Sequence, residues 1–452
     1  MITKYSQKHY YLIDFDQKIT NSVCGLMSAG RVMSCTGGNM GDGLGWDFWF
    51  YRCAQIATAL GYSASSIAAV WWILGEYQKM IYVSYLIVPP LIISALAQPL
   101  IAPAGDRYNK KLLILSGLAL QFLSYVTVAF VFISGGMKLS ALIAFELLSA
   151  SGRILFNAGS IGILPHLIPE NRITEGMNIT HRVTSTMSII GGVSGGAMVT
   201  VFGIANSFLF LAFCISIACL FCVCMRCHSQ ADQGERRRTR WLDDIREGLN
   251  YTVSNRVISG FFIYSLIIGL AFAPMMVAFP YLIKEIKGLP PFYVGLLATS
   301  MGAGVITGSF IFPHLRSRFD NKSLVYVSSS LFFLSLLLIS LCHHVIVLFI
   351  GQFIIGLSRN WINVVIDSLL LINLPGHLRT RVLSNLSFFA MINMPVAMLL
   401  FSYLMDLMGV YNIFLMLSAL CFIAMLVIVS NREIRRFLSA EPEEAAEMLM
   451  SK

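Results

Sequence analysis

The sequence predicts an all-α integral membrane protein in which twelve transmembrane helices form two parallel six-helix repeats. Hydrophobic residues make up 57% of the 452 residues and charged residues only 12%, whereas a soluble domain has about 25% charged residues. The mean hydropathy is +0.74. Apolar runs that reach the roughly 20 residues needed to cross a bilayer core recur along the chain. A polar pattern of the first half also returns in the second.

The apolar runs divide the chain into five regions. We expect a cytoplasmic extension over 1–47, a six-helix bundle over 48–225, a cytoplasmic linker over 226–256, a second bundle over 257–430 and a cytoplasmic tail over 431–452. The expected spans are 48–74, 82–103, 112–134, 139–163, 183–202, 204–225, 257–282, 292–313, 323–342, 345–366, 382–405 and 410–430.

The net charge of +9 comes from the loops and does not indicate a nucleic-acid partner. With both termini inside, 25 of the 32 lysines and arginines fall in cytoplasmic segments, four lie on the opposite side and three lie within spans. Cytoplasmic loops carry such an excess of positive charge. The sequence therefore predicts a multi-pass protein of the cytoplasmic (inner) membrane. Arg52, one turn inside the first span, is expected to extend its guanidinium to the cytoplasmic surface.

No cofactor or metal is expected. The ten cysteines lie mostly in or beside spans and show no disulfide framework. Cys224 to His228 has the C-x-x-C-H spacing of haem attachment, but it lies at the cytoplasmic end of the sixth span, the wrong compartment for that chemistry. The motifs H-E-x-x-H and G-x-S-x-G and acidic metal clusters are all missing, which argues against an enzyme.

Spans four and ten carry the repeated polar pattern. R-x3-N-x11-P occurs in both at an offset of 206 residues, as Arg153, Asn157 and Pro169 and again as Arg359, Asn363 and Pro375. Two repeated six-span halves are the layout of a transporter whose site lies between the halves.

Ionisable groups inside spans are functional candidates, because charge in the bilayer is costly. Glu146 and Arg153 are seven residues apart and therefore project from one face of a helix. A carboxylate in an interior of low dielectric can exchange a proton, so Glu146 is expected to couple transport to the proton gradient while Arg153 binds an anionic group or biases that exchange. The repeated residues Asn157, Arg359 and Asn363 are expected to belong to the same substrate and coupling site. The alternative is structural, with Arg153 bonded to Asn157 and Arg359 to Asn363, so that both pairs fix helix ends.

A charged loop, AGDRYNKK over 104–111, separates the second and third spans. It resembles the loop between helices 2 and 3 of the major facilitator superfamily, with pattern G-x-x-x-D-R-x-G-R-R/K. Ala102 and Asn109 replace two glycines of that pattern. Charged loops that pair on one side can act as a gate. The expected gating residues are Asp106, Arg107, Lys110 and Lys111, then Arg318 in the corresponding loop of the second half, and Asp367, which could pair with Arg318 or Arg107.

The fifth span contains two glycine pairs, Gly191 with Gly192 and Gly195 with Gly196. Small residues at this spacing allow a second helix to approach closely. We expect them to form a tight helix contact. The run also resembles the glycine-rich fifth helix of antiporters in the superfamily, and that resemblance implies a rocking contact while it leaves antiport undecided.

Diffuse similarities over most of the chain indicate one particular branch of the superfamily. ILPHLIPENRITEGMN (163–178), IREGLNYTVSNRVI (245–258) and GLLATSMGAGVITGS (295–309) resemble enterobactin-exporter-like and macrolide-efflux-like transporters. The resemblance implies proton-driven export of an amphipathic small molecule, siderophore-like or drug-like, by a monomer. Two alternatives stay open, an importer of a siderophore or nutrient and a non-transporting membrane sensor or lipid-handling protein.

Overall fold

Helices account for most of the described chain. The computed structural model describes residues 45–107, 109–168, 173–225, 251–252, 254–374, 376–440 and 448–449, with the backbone alone over parts of these ranges, among them 98–107 and 376–381. The helices are α1 (Trp46–Tyr77), α2 (Met80–Arg107), α3 (Lys110–Ile133), α4 (Leu139–Leu167), α5 (Ile173–Cys224), α6 (Arg256–Phe272), α7 (Met275–Tyr281), α8 (Phe292–Arg316), α9 (Asn321–Leu341), α10 (Val345–Asn373), α11 (Gly376–Met408), α12 (Val410–Ser430) and α13 (Arg432–Ser439). A π-helical turn, Leu282–Ile286, follows α7.

Within the described residues, eleven stretches are long and apolar enough to cross a membrane. One of them, Arg182–Cys224, is twice the usual length and breaks at Gly203, whose φ of 81° and ψ of 179° are not helical. A left-handed φ is accessible to glycine without steric cost, so the chain reverses there within a single residue. The result is twelve passes, and the predicted fold class is confirmed.

Asparagine caps fix where several helices begin. Asn109 accepts hydrogen bonds from the backbone N–H groups of Lys111 and Leu112 at the start of α3. Asn255 and Asn431 do the same at α6 and α13. These side chains satisfy amide groups that have no partner inside the helix.

The tail after α12 packs against the second half. Ile434, Phe437 and Leu438 of α13 are buried, and the ring of Phe437 lies 5.8 Å from that of Phe261 in α6. A charged helix with one apolar side is suited to such a position at the edge of a bundle.

Two faces of the molecule are distinguished by their turns. The α1–α2 face carries the turn at Gln78 and Lys79, and the α2–α3 face carries the turn at Asn109. The N-terminal half comprises α1–α5 and the C-terminal half α6–α12. The described residues from 45 onwards form one compact unit, so the halves pack on each other.

The glycine pairs of α5 contact two different helices. A Cβ on Gly191 or Gly195 would lie 2.5–2.7 Å from Ser63 of α1, within the same half. A Cβ on Gly192 or Gly196 would lie 2.8–2.9 Å from the carbonyl oxygens of Gly295 and Pro291, in or beside α8 of the other half. One pair therefore holds α5 inside its bundle and the other forms the contact between bundles.

Candidate functional site

A cavity of about 520 Å³ lies between the two halves. Both halves line it, through α1, α2 and α4 on one side and α6, α7, α8 and α10 on the other. Most of its wall is apolar, with Trp71, Leu91, Phe272, Met275, Phe279 and Met301 among the contributors. Its size and lining are typical of a pocket for a small amphipathic molecule.

Glu146 and Arg153 bring opposite charges to this wall. Glu146 Oε2 lies 3.8 Å from Arg153 Nη1, and the two side chains are 14% and 25% exposed. Their spacing on α4 stacks them two turns apart on one face, as the seven-residue interval predicts. They form the only ion pair among the described residues that line the cavity.

Arg153 is held by neighbours that sequence reasoning missed. Its Nη1 donates to Ser149 Oγ at 2.9 Å and to Tyr125 Oη at 3.3 Å, and Ser149 Oγ donates to Tyr125 Oη at 2.6 Å. The guanidinium also lies 5.1 Å from the ring of Tyr62. Ser149 is one turn before Arg153 and could have been found from spacing. Tyr125 and Tyr62 come from other helices and leave no sequence signal.

The asparagines of the repeated pattern do not bond to its arginines among the hydrogen bonds of the described residues, and their substrate or coupling role stays a prediction. Asn157 and Asn363 are exposed, and neither is part of the cavity wall. Arg153 bonds to Ser149 instead, and the guanidinium of Arg359 stacks 3.6 Å from the ring of Phe272. The two arginines of the repeat therefore have different partners: Arg153 lies beside the carboxylate of Glu146, and Arg359 lies against the ring of Phe272.

The described side chains of the charged loop, Lys110 and Lys111, make their contacts within the N-terminal half. Lys111 Nζ donates to the carbonyls of Val223 and Met225 at 2.9 and 2.5 Å. The positively charged ammonium thus lies at the C-terminal end of α5, where the helix dipole favours it. Lys110 is buried. The side chains of Asp106 and Arg107 lie outside the described residues.

Arg318 and Asp367 are both exposed. No ion pair between them is present in the part of the chain that the structure describes. Their gating role, like that of the loop over 104–111, stays a prediction.

The expectation that Arg52 extends to the membrane surface is wrong, because its side chain is buried. The residue is 1% exposed, and its guanidinium lies 4.8 Å from the ring of Phe48 and 5.1 Å from the ring of Tyr51. Gln55 Oε1 accepts a hydrogen bond from Nη1. The side chain therefore lies inside the bundle, with two aromatic neighbours and one hydrogen bond from its own helix.

The halves are joined at the α1–α2 face. Asp406 Oδ1 and Oδ2 accept hydrogen bonds from the N–H groups of Met80 and Ile81, at 2.8 and 3.1 Å, so a carboxylate of α11 caps α2. Lys284 Nζ donates to the carbonyl of Trp71 at 2.6 Å. Ser84 and Ser402 share a hydrogen bond of 2.6 Å. These contacts link the two halves on the α1–α2 face.

Comparisons with known proteins agree with this architecture. The sequence profile of the family described as transmembrane secretion effector matches residues 48–450. A staphyloferrin A transporter of Staphylococcus aureus (strain NCTC 8325 / PS 47) is 23% identical over 396 residues, which are 85% of this chain and 96% of that protein.

Two solved structures show the same fold. A nucleoside transporter, NupG, superimposes with a TM-score of 0.67 at 12% identity, over 85% of this chain and 98% of that one. A bacterial homologue of the iron transporter ferroportin gives a TM-score of 0.69 at 13% identity, over 86% and 99%. The chain is thus a membrane transporter and no enzyme, and it belongs to the transmembrane secretion effector family of the major facilitator superfamily.

Proposed function

We propose that this chain is a secondary active transporter that exports an amphipathic, siderophore-like small molecule across the cytoplasmic membrane by alternating access. The observation that carries the proposal is the cavity between the halves, with one ion pair on a mostly apolar wall. A site between two repeats, alternately open to either side, is what such a mechanism requires.

The distribution of positive charge supports one orientation of the molecule in the membrane. Of the 32 lysines and arginines, 25 fall in segments that we assign to the α2–α3 face and the termini. That face is therefore proposed to be cytoplasmic. In this orientation the contacts of Asp406 and Lys284 link the two halves on the outer side.

The chemistry of the cavity wall supports an amphipathic, anionic substrate. Aromatic rings and methionine side chains accommodate an apolar body of variable shape, while Arg153 offers a guanidinium for an anionic group. The likeness to a staphyloferrin A transporter supports a siderophore as the substrate.

Glu146 supplies the proposed coupling to the proton gradient. In a cavity of low dielectric, Arg153 cannot fully neutralise two anions. An anionic ligand group that pairs with Arg153 leaves Glu146 to be neutralised by a proton. In this proposal, substrate binding and proton binding are linked through the single guanidinium of Arg153. The mechanism needs neither a cofactor nor a second subunit.

The test compares spent medium and cell extract from host strains with and without this gene, by untargeted mass spectrometry. A compound that disappears from the medium and accumulates in cells on deletion supports export. A compound left behind in the medium by the deletion strain overturns export and establishes uptake instead. Identical profiles, in medium that induces the gene, overturn the transport proposal.

A further inference from the structure

One aromatic ring of the cavity wall is open to the cavity. Tyr62 lies at the middle of the first span, yet it is 44% exposed and lines the cavity. Among the described side chains of the wall, only Tyr62 and Met276 are more than a third exposed. These two side chains, one from each half, therefore offer the most surface to a molecule in the cavity.

The charged pair of the cavity lies beside this ring. The guanidinium of Arg153 lies over the ring of Tyr62, 5.1 Å from its centre, and such a cation–π contact occupies one face of the ring. The exposed surface therefore belongs to the other face and the ring edge. Glu146 acts electrostatically on the same side chain. An open aromatic surface and a guanidinium are thus adjacent on one wall.

The backbone on both sides of Tyr62 is packed tightly against α5. A Cβ on Gly61 would lie 2.7 Å from Leu211, and a Cβ on Gly195 would lie 2.7 Å from the carbonyl carbon of Ser63. Segments in such close contact cannot shift without disturbing the helix packing. The ring is therefore held in place before any ligand arrives, which lowers the entropic cost of binding to it.

We propose that Tyr62 determines substrate specificity, because a planar aromatic group of the transported molecule stacks on its open face while Arg153 binds an anionic group beside it. This inference rests on the proposed transport function and deepens it. An aromatic pair adds roughly two- to tenfold in affinity beyond the burial of its area, whereas an aliphatic group gains the burial alone. The substrate class is narrowed to aromatic anions.

The probes are two matched acids, 2-naphthoate and its saturated analogue decahydro-2-naphthoate. Both carry one carboxylate on a two-ring frame, and only the first is aromatic. The Kd of each acid for the purified full-length protein is measured from the rise of Tm with ligand concentration. We expect 2-naphthoate to bind roughly two- to tenfold more tightly than the saturated acid. Equal Kd values, or no binding by either acid, overturn the proposal.

Two variants separate the ring of Tyr62 from its hydroxyl. The hydroxyl has no hydrogen bond among the described residues, so Tyr62→Phe is expected to keep the preference for the aromatic acid. Tyr62→Leu removes the ring and should make the two Kd values equal. The control is Tyr85→Leu, since Tyr85 is also 44% exposed but lies outside the cavity wall. It should bind both acids like the wild type.

The ratio of the two Kd values distinguishes recognition from a structural role. If Tyr62 only supported the fold or Arg153, Tyr62→Leu would weaken both acids by the same factor, and that result overturns the proposal. A preference that survives in Tyr62→Leu overturns it as well. Failure of the transport proposal is seen separately, as a wild-type chain that redistributes no compound between medium and cells although the aromatic acid still binds through Tyr62.

Discussion

Arg153 donates from one nitrogen to Ser149 and Tyr125 and lies 3.8 Å from Glu146, so a single guanidinium joins the acid of the cavity to the neighbouring helix α3. The contact with Glu146 is long for a charge-assisted hydrogen bond, which lies near 2.8 Å. The pair is therefore close enough for strong electrostatic attraction while the carboxylate oxygens stay available to other partners.

Glu146→Gln tests the coupling role. Glutamine keeps the shape and most hydrogen bonds of the side chain but cannot exchange a proton. We expect gradient-driven movement to be lost while the protein still folds, as judged by size-exclusion chromatography and Tm. Transport is measured as the concentration ratio of the mass-spectrometrically identified compound, with and without a protonophore.

The matched control is Glu76→Gln, since Glu76 is exposed at the end of α1 and does not line the cavity. It should transport like the wild type. Concentrative transport by the Glu146→Gln variant that remains sensitive to the protonophore would assign coupling to another group.

Tyr125→Phe tests whether Arg153 must be held in place. Phenylalanine preserves the packing but removes the hydroxyl that Arg153 and Ser149 share. The expected loss is about 1 kcal/mol of unfolding free energy and a several-fold rise in the apparent KM. Thermal unfolding and transport titration measure the two effects. Tyr403→Phe, on the exposed side of α11, is the control and should change neither quantity. An unaltered KM in Tyr125→Phe would show that substrate binding does not need the hydrogen bond from Arg153 to Tyr125.

The sequence predicted most of the fold and part of the site, for reasons that differ from residue to residue. Span number followed from apolar runs, and the stacking of Glu146 on Arg153 followed from helical periodicity. The burial of Arg52 did not follow, because it depends on which rings pack around the guanidinium. Asp406 carried no signal either, since its partners are two backbone amides more than 300 positions away.

Gly295→Ala tests the contact between α5 and α8. A Cβ at this position would lie 2.0 Å from the Gly192 carbonyl oxygen, a backbone atom that cannot rotate away. The helices must separate, at a cost of about 1–3 kcal/mol for such overpacking, and we expect both Tm and turnover to fall. Gly136→Ala is the control, since a Cβ there meets only Ser134 Oγ at 3.8 Å. Equal Tm and turnover in the two variants would show that the halves do not need this close approach.

Asp406→Asn tests the closure of the α1–α2 face. The aspartate combines two hydrogen bonds to Met80 and Ile81 with a favourable charge at the N-terminus of α2. Asparagine keeps one acceptor and loses the charge, so the conformation closed on this face should lose roughly 1 kcal/mol relative to the alternative. A shift of that size changes the ratio of the two conformations about fivefold.

The measurement is labelling of a Ser66→Cys reporter in the cavity wall by a membrane-impermeant maleimide added from outside, above the background of the native cysteines. We expect faster labelling when Asp406→Asn is added to the reporter chain. Asp320→Asn, which alters the exposed aspartate before α9 on the opposite face, should leave the labelling rate unchanged. A rate equal to that of the reporter alone would show that the carboxylate of Asp406 does not limit access to the cavity from the α1–α2 face. Lys284 and the Ser84–Ser402 hydrogen bond would remain as the candidate contacts for that role.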